Sequence, residues 1–526
     1  MSVIEKDTHS SPVYLNGCDL TLDQVSQVAR GGRAAAIEQE AMLRVQESHE
    51  MLSRLAEGNR PVYGVNTGFG IFSNRKIQPD QSRELSRNLI LSHAVGLGEP
   101  FPEPVTRAAM LIRINSLAIG NSGASPRLLE TLLSMLNKGV TPIIPSQGSM
   151  GSSGDLAPLA HLALVLSRPA GQDQEELSGE AWFQGARMTG LEAMHAAGIP
   201  RVILGPKEGL AIINGATFSA ALLALALISA ERILPAAEGA AALSFEALLG
   251  VSAALDERLH ASRHHPGQIQ TAAHLRTLLD GSGFIDQTDR VQDAYSLRCA
   301  PQIIGPTWET LAFVRPIVER EINAATDNPL LYDEEAISGG NFHGQPLGLA
   351  ADYLKIALSE VASVAERRVY KLLSGHSSAG LPLMLVSDQE KAGFHSGLMM
   401  LQYTAASLVL ENQHIAAPDS IHSLPTSAGQ EDHNANSTTA ARHLRQTIVN
   451  CARVVAIELL AAAQAIDIRE SDMPDCILGA GTAPLYQRVR TISAFIQTDR
   501  PLAADVERLA AAVLNGDLLP DLGSDS

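Results

Sequence analysis

Hydrophobic and polar positions along this chain repeat mostly with the period of an α-helix. Apolar residues that recur every three or four positions are typical of helices with one buried face. Such periodicity, or a long run of Ala, Leu, Ile and Val, marks residues 38–58, 82–96, 105–119, 207–250, 300–325, 345–375, 395–416 and 437–470. Strand-like stretches are few and short. The pattern predicts a mainly α-helical fold, with a bundle of long helices as its core and a smaller mixed region on the N-terminal side.

The character of the chain changes near residue 207, where long apolar helices replace short elements and glycine-rich loops. No fixed-period repeat and no low-complexity linker stands out. We therefore predict a disordered N-terminus at residues 1–12, an N-terminal domain at 13–206, a central helical bundle domain at 207–480, and a C-terminal helical segment with an acidic tail at 481–526.

Residues 209–230 form a stretch of 22 residues without a charge, which is long enough in principle to cross a membrane. Polar residues interrupt it at positions 214, 217, 219 and 229, and charged pairs close it on both sides. A helix that is apolar on all faces must be buried in something. We therefore predict a core helix, covered by other subunits, and no membrane segment.

The 526 residues include 39 basic and 57 acidic ones, which gives a net charge of −18. A nucleic-acid-binding protein normally shows a basic stripe, so this balance argues against a nucleic-acid partner. The four cysteines lie far apart, as is typical of a reducing compartment. Residues 1–12 are polar and lack the apolar core of a signal peptide. These features predict a cytoplasmic location.

One short stretch is chemically the most informative: residues 148–161, which read Gly-Ser-Met-Gly-Ser-Ser-Gly-Asp-Leu-Ala-Pro-Leu-Ala-His. A Gly/Ser loop runs into an apolar helix, with Asp155 at the N-cap position and Pro158 in the first turn. The N–H groups and the dipole at a helix start favour electron-rich groups. An electrophile built in this loop would therefore be strengthened.

Residues 147–161 resemble the signature of the aromatic amino-acid ammonia-lyases, and further segments match that family in the same order along the chain. These segments are Tyr63-Gly64-Val65-Asn66-Thr67-Gly68-Phe69-Gly70, Asn214-Gly215, Gln292-Asp293-Ala294-Tyr295-Ser296-Leu297-Arg298-Cys299, Thr326-Asp327-Asn328-Pro329 and Gly339-Gly340-Asn341-Phe342-His343. Together the matches extend over residues 13–515. So many ordered motifs identify the chain as a member of this family.

The resemblance implies a methylidene-imidazolone (MIO) group formed from Ser152-Ser153-Gly154, where the family usually has Ala-Ser-Gly. The amide nitrogen of Gly154 would attack the carbonyl carbon of Ser152 to close a ring, and Ser153 would lose its hydroxyl. Glycine suits the attack because a nitrogen beside a Cβ would be hindered. The side chain at 152 takes no bonding part, so serine should be tolerated there. By itself, the triplet is more typical of a helix-capping loop.

The resemblance also implies catalytic roles for Tyr63, Ser153, Tyr295 and Glu431. Tyr63 would remove the β-proton of the substrate, which requires a lowered phenol pKa and therefore donors or positive charge nearby. The plain alternative for Tyr63 is a hydrogen-bonded packing residue.

Substrate binding is implied for Arg298, Asn214, Gln292, Tyr295 and Phe342. The planar fork of Arg298 suits a carboxylate, although a structural salt bridge is the alternative. Asn214 lies inside the most apolar predicted helix, where an unpaired amide would be costly. Its partners in the family include MIO and the substrate.

Two positions bear on which amino acid is used. Histidine-specific members carry Ser-His where this chain has Ser92-His93, although tyrosine-specific members also have histidine there. The run Gln430-Glu431-Asp432-His433 matches the histidine-specific members. A carboxylate at 431 can accept an imidazole N–H, whereas its burial beside a phenyl ring would go uncompensated. We therefore predict L-histidine as substrate, bound by His93 and Glu431, with trans-urocanate and ammonia as products.

Several alternatives stay open. A phenylalanine, tyrosine or broad aromatic ammonia-lyase, or a 2,3-aminomutase, would use the same chemistry, and a non-catalytic helical scaffold would not cyclise its loop. Departures from the family pattern could loosen specificity; they lie at Ser152, Ala294, Gly429, Asn434, Ala435 and Asn436. The resemblance implies a homotetramer with shared active sites. No metal is expected, because the histidines near 260–265 lack ligand spacing. No nucleotide cofactor is expected either, because no Walker-type phosphate loop appears.

Overall fold

The fold is given by a computed structural model, which describes residues 11–58 and 61–519. Residues 1–10 of the predicted disordered N-terminus lie outside the described residues. Residues 520–526 of the predicted acidic tail lie outside them as well.

The described residues form eighteen α-helices, so the predicted mainly α-helical fold is confirmed. The helices are α1 (Leu22–Ala29), α2 (Gln39–Glu57), α3 (Ser82–His93), α4 (Glu103–Ala118), α5 (Pro126–Lys138), α6 (Leu156–Leu166), α7 (Gly190–Ala196), α8 (Glu208–Ile213), α9 (Thr217–Ala247), α10 (Glu257–Ala261), α11 (Pro266–Leu278), α12 (Tyr295–Arg298), α13 (Ala300–Glu321), α14 (Gln345–Leu373), α15 (Met399–Ile415), α16 (Ser437–Asp472), α17 (Thr482–Ile492) and α18 (Ala503–Asn515).

Nine short strands build four small sheets among the described residues. The strands are β1 (Val13–Leu15), β2 (Ala35–Ile37), β3 (Leu97–Pro100), β4 (Thr141–Pro142), β5 (Pro145–Gln147), β6 (Glu180–Phe183), β7 (Ala186–Thr189), β8 (Leu330–Tyr332) and β9 (Glu335–Ile337). Strands β1 and β2 pair in parallel, while the pairs β3–β5, β4–β6, β6–β7 and β8–β9 are antiparallel. Seven of the nine precede residue 207, as the predicted mixed N-terminal region requires.

The segment at 207–250 is two helices rather than one. Helix α8 ends at Ile213 and α9 begins at Thr217. Between them, Gly215 has a φ of +114°, and a Cβ there would lie 2.4 Å from Thr326 Oγ1. Because a continuous helix requires negative φ, this close approach at a glycine breaks the segment.

Helix α9 is long and apolar enough to cross a membrane by length and composition, yet 83% of its most apolar window is buried within the chain. The predicted core role is therefore supported. The expectation that other subunits must cover it is wrong, because the chain's own residues already do so.

The chain divides into two compact units, each built from three separate stretches. The first comprises residues 1–228, 315–352 and 418–442, and the second comprises residues 229–314, 353–417 and 443–526. The boundaries predicted at 206/207 and 480/481 stay predictions.

Helix α4 is the centre of the first unit, since every residue from Val105 to Ala118 is buried. Helices α1 and α5 pack on it. Helix α5 follows its sequence signals: the Ser125 side chain caps its start, and Gly139 with a φ of +81° ends it. These elements give the first unit a firm apolar core.

Long helices dominate the second unit. A buried ion pair joins them, in which Arg368 Nη2 donates to Glu458 Oε2 at 2.8 Å, and both side chains are fully buried. Ser244 Oγ also donates to Glu458, at 2.7 Å. A buried carboxylate is tolerated when donors satisfy it in this way.

Candidate active site

The first unit contains a cavity of about 480 Å³. Residues from five stretches of the chain line it, and six of them are predicted site residues: Tyr63, Ser152, Ser153, Asn214, Phe342 and Glu431. The fold therefore brings together residues that lie up to several hundred positions apart in sequence.

The loop at residues 148–154 reaches this cavity through Ser152 and Ser153. Asn214 Nδ2 donates to the Ser153 carbonyl at 2.6 Å. Gly154 has a φ of +80° and runs against Gly215, so that a Cβ on Gly154 would lie 2.1 Å from the Gly215 nitrogen. Only glycine fits such an approach of two backbones.

Asp155 follows the loop as the N-cap residue of α6, but its side chain makes no capping hydrogen bond. It accepts instead from Ser149 Oγ at 2.8 Å, from the Ser219 amide at 2.8 Å and from Thr438 Oγ1. Burial raises the pKa of Asp155, and the donors oppose that shift. The predicted cap is therefore a junction that ties the loop to α9 and α16.

Asn214 lies at the end of α8, with extended backbone angles of −87° and 136°. The prediction of a helix-interior position is wrong because of the break at Gly215. The guanidinium of Arg113 donates to the Asn214 carbonyl, and complete burial lowers the pKa of Arg113 to about 10. Asn214 Oδ1 is buried without a hydrogen-bond partner in the part of the chain that the structure describes.

Tyr63 is half-buried in the turn after Pro61, and its phenol oxygen accepts from the Gly70 amide at 3.3 Å. Burial raises the pKa of Tyr63 above its ordinary value, Glu431 raises it further, and only the Gly70 bond lowers it. The expected lowering of this pKa is wrong for the chain alone, because desolvation and a nearby carboxylate both favour the neutral phenol.

Glu431 acts electrostatically on His93. Glu431 Oε2 accepts from Thr426 Oγ1 at 3.1 Å. His93 Nδ1 lies 2.8 Å from the Leu89 carbonyl, which makes Nδ1 the protonated nitrogen and leaves Nε2 as an acceptor. Burial lowers the pKa of His93, while the Leu89 carbonyl and Glu431 oppose that shift. His93 is not among the cavity-lining residues.

Ten other lining residues were not among the predicted site residues. They are Gly70, Ser73, Leu210, Asn328, Ser338, Gly339, His343, Gln430, Asp432 and His433. The His343 and His433 rings stack with centroids 6.1 Å apart, and His343 Nε2 lies 3.2 Å from the His433 carbonyl. The signal was available, since both histidines end motifs already matched to the family.

Gln292, Tyr295 and Arg298 belong to the second unit and are not among the lining residues. Tyr295 is 70% exposed, and the Arg298 guanidinium lies 4.7 Å from the centre of its ring. The buried Asp293 anchors this segment by accepting from the Val251 amide at 2.7 Å. These three predicted residues thus belong to the second unit, whereas the six predicted residues that line the cavity belong to the first.

The described residues were also considered as possible metal ligands. Within residues 11–58 and 61–519, no cluster of three or more His, Cys, Asp or Glu side chains could hold a metal ion. His260 is buried in α10 and bonds to Gln268 and the Ala254 carbonyl.

Known proteins resemble the chain over nearly its whole length. The family described as aromatic amino acid lyase matches residues 20–491. Histidine ammonia-lyase of Alkaliphilus metalliredigens is 46% identical over 514 residues, which cover 97% of this chain and 98% of that protein. The structure of tyrosine aminomutase from Streptomyces globisporus has a TM-score of 0.88 at 35% identity, covering 97% and 98% of the two chains. Histidine ammonia-lyase from Trypanosoma cruzi has a TM-score of 0.86 at 34% identity, covering 97% and 96%.

The helical fold and the family match together define the class of this protein as an amino acid lyase. The chain belongs to the aromatic amino acid lyase family.

Proposed function

We propose that the protein is a carbon–nitrogen lyase that eliminates ammonia from L-histidine to give trans-urocanate. The observation that carries this proposal is Glu431, a carboxylate on the wall of the cavity that also contains Ser153. Such a carboxylate suits an imidazole and not a phenyl ring. Identity of 46% to a histidine ammonia-lyase supports the same substrate.

The residues of the loop fit an MIO group. Gly154 has the positive φ and the missing Cβ that ring closure needs. Asn214 already donates to the Ser153 carbonyl, and its Oδ1 has no partner among the described residues. When formed, the group would supply an electrophile that holds the electrons of the departing amine. Ser152, Ser153 and Gly154 would make it, and Asn214 would hold it.

Tyr63 is proposed as the base for the β-proton. Its phenol shares the cavity with Ser153 and Glu431, and the Gly70 amide orients its oxygen. Since its pKa is raised in the chain alone, the proton transfer depends on the phenolate fraction, which grows as the pH increases.

Glu431 and His93 are proposed to hold the imidazole. Glu431 would accept a ring N–H, and the free Nε2 of His93 would accept a hydrogen bond in turn. Phe342 lines the same cavity and would pack against the substrate. These contacts orient the β-carbon toward the phenol.

Arg298, Tyr295 and Gln292 are proposed to reach the site from another copy of the chain in a homotetramer. Arg298 would hold the substrate carboxylate with two parallel hydrogen bonds. Exposed apolar side chains on α15 support association of copies: Met400 is 64%, Tyr403 60% and Leu410 66% exposed. Burial of this surface between copies would stabilise the oligomer.

A 2,3-aminomutase is the second candidate, because the tyrosine aminomutase structure has a TM-score of 0.88 to this chain. The two functions share the elimination step. An aminomutase would add the amine back at the β-carbon, so its product is a β-amino acid.

The deciding experiment measures intact mass and product together. The purified protein is expected to lack two water masses, located in the peptide 147–156, and to convert L-histidine to urocanate. Tyrosine and phenylalanine are supplied separately, and β-amino acids are sought by mass spectrometry. An unmodified peptide would refute the cofactor, and a modified protein that releases no urocanate from histidine would refute the substrate.

A further inference from the structure

Ser152 makes contacts that an alanine cannot make. Its side chain is buried, with 6% of the residue exposed. Ser152 Oγ accepts a hydrogen bond from the Ala435 amide at 3.0 Å and donates to the Met150 carbonyl at 3.3 Å. Ala435 is itself fully buried. The hydroxyl therefore satisfies an amide that is buried away from bulk solvent.

Ala435 ends a loop that is folded on itself and carries Glu431. Thr426 and Glu431 pair as a short antiparallel bridge, and the Asn434 amide donates to Ser423 Oγ at 2.8 Å. Glu431 and Ser152 line the same cavity. Because these hydrogen bonds hold residues 423–434 together, a shift of Ala435 is expected to move Glu431 as well.

Among the described residues, further bonds tie the loop at 148–154 to the start of α16, which follows Ala435 in the chain. Ser437 Oγ donates to the Gly151 carbonyl at 3.4 Å. The Thr438 hydroxyl donates to Asp155, and its oxygen lies 3.0 Å from Ser149 Oγ. Both residues belong to the first turn of α16. The Ser152 bond is thus the link next to both Ser153 and the Glu431 loop.

We propose that Ser152 is a positioning residue whose hydroxyl fixes the Glu431 loop relative to Ser153. The Ser152 side chain sets the place of the imidazole with respect to the electrophile, and it takes no part in bond making itself. This role rests on the proposed function, because it concerns the binding of histidine at that site.

The test compares Ser152→Ala with a matched control. Ser48 is also buried, and its Oγ accepts the Gly123 amide at 3.1 Å, away from this cavity. Ser48→Ala removes the same kind of bond. Both variants are expected to keep the two-water deficit in the peptide 147–156. Only Ser152→Ala is expected to raise the KM for histidine, by about tenfold, with a smaller change in kcat.

Hydrogen exchange gives a readout that does not depend on activity. In Ser152→Ala, peptides containing Ala435 are expected to gain one rapidly exchanging amide, and Ser48→Ala should leave them unchanged. Ser152→Cys keeps a weaker acceptor and is expected to lie between wild type and Ser152→Ala in both readouts. It also replaces Ser152→Ala should the latter fail to fold.

Coupling to Glu431 separates positioning from general destabilisation. In a Glu431→Gln background, Ser152→Ala is expected to change KM much less, because the contact it places is already lost. Additive effects would overturn the proposal, as would unchanged exchange at Ala435 or an equal KM effect of Ser48→Ala. If wild type itself lacks the two-water deficit or forms no urocanate, the proposed function fails instead.

Discussion

The loop at residues 148–154 and the segment at residues 292–298 are both predicted to act on the substrate, yet their environments are opposite. In the loop, Ser152, Gly154 and the following Asp155 are buried and bonded to neighbours within the first unit. In the segment, Tyr295 is 70% exposed and contacts the guanidinium of Arg298 beside it.

The difference distinguishes residues that a single chain holds rigidly in place, as in the loop, from residues that it exposes for contact with a partner, as in the segment. A reacting loop must keep its geometry, and hydrogen bonds from several directions give it that rigidity. An exposed pair of an aromatic ring and an arginine is typical of residues that bind a partner. The proposed shared active site accounts for both environments, since the exposed pair of one copy would complete the cavity of another.

The largest expected effect comes from combining variants of the two regions. Ser153→Ala and Arg298→Ala should each lower urocanate formation by more than about a thousandfold. Co-expressed, they form mixed oligomers in which some sites take an intact Ser153 from one copy and an intact Arg298 from another. Random mixing should restore about a quarter of the wild-type rate.

The matched control pairs two variants of the same loop, Ser153→Ala with Gly154→Ala, which should recover nothing. The composition of the mixed oligomers is verified first. If oligomers of Ser153→Ala and Arg298→Ala then stay inactive, a single chain supplies both regions to each active site.

Tyr63→Phe is the next largest change, with an expected loss of about 10²- to 10⁴-fold in kcat/KM. Because the pKa of Tyr63 is raised and the base must be deprotonated, wild-type kcat/KM should increase as the pH rises through the alkaline range. The phenylalanine variant should lack this increase. Rate profiles from pH 6 to 10 provide the measurement, and an identical alkaline rise in both proteins would exclude Tyr63 as the base.

Glu431→Gln should lower kcat/KM for histidine by about 10- to 100-fold, the usual effect of losing a charge-assisted hydrogen bond. Turnover of phenylalanine should not fall, because a phenyl ring makes no such bond. The variant should also move the alkaline rise to lower pH, since Glu431 raises the pKa of Tyr63. Equal losses for both substrates would argue against Glu431 as the imidazole ligand.

The smallest expected effect concerns the melting temperature, through the Glu321 carboxyl that lies near Asp155. Burial and the nearby Asp155 raise the pKa of Glu321 to about 7. A raised carboxyl pKa stabilises the folded state below the unfolded value, and this stabilisation is lost as the pH rises toward 7. The melting temperature of Glu321→Gln relative to wild type should therefore increase by about 2 °C between pH 5 and pH 8. The exposed Glu47→Gln serves as control, and a pH-independent difference would contradict the expectation.

Sequence reasoning predicted the helical fold and six of the residues that line the cavity, because each lies in a local pattern. The long apolar segments marked the helices, and motifs around Tyr63, Ser153 and Glu431 marked residues that the fold then brings together. The roles of these residues stay predictions.

The errors arose where distant residues decide the outcome. Asn214 left the predicted helix because Gly215 packs against Thr326, more than a hundred residues away. The Asp155 side chain does not cap α6, because it accepts hydrogen bonds from Ser219 and Thr438, which lie 64 and 283 positions further along the chain. The pKa of Tyr63 depends on burial, which periodicity does not reveal. Each case is set by tertiary packing and not by local sequence.

The junction at Asp155 has a consequence for the order in which the enzyme is made. Thr438 donates to Asp155 across 283 residues, and a ribosome delivers the N-terminal stretch first. We expect Ser152, Ser153 and Gly154 to stay uncyclised until the start of α16 has been synthesised and has packed against Asp155. A nascent chain halted before residue 437 should still carry both water masses in the peptide 147–156. Formation of the electrophile would then show that the ribosome has synthesised the chain beyond residue 437.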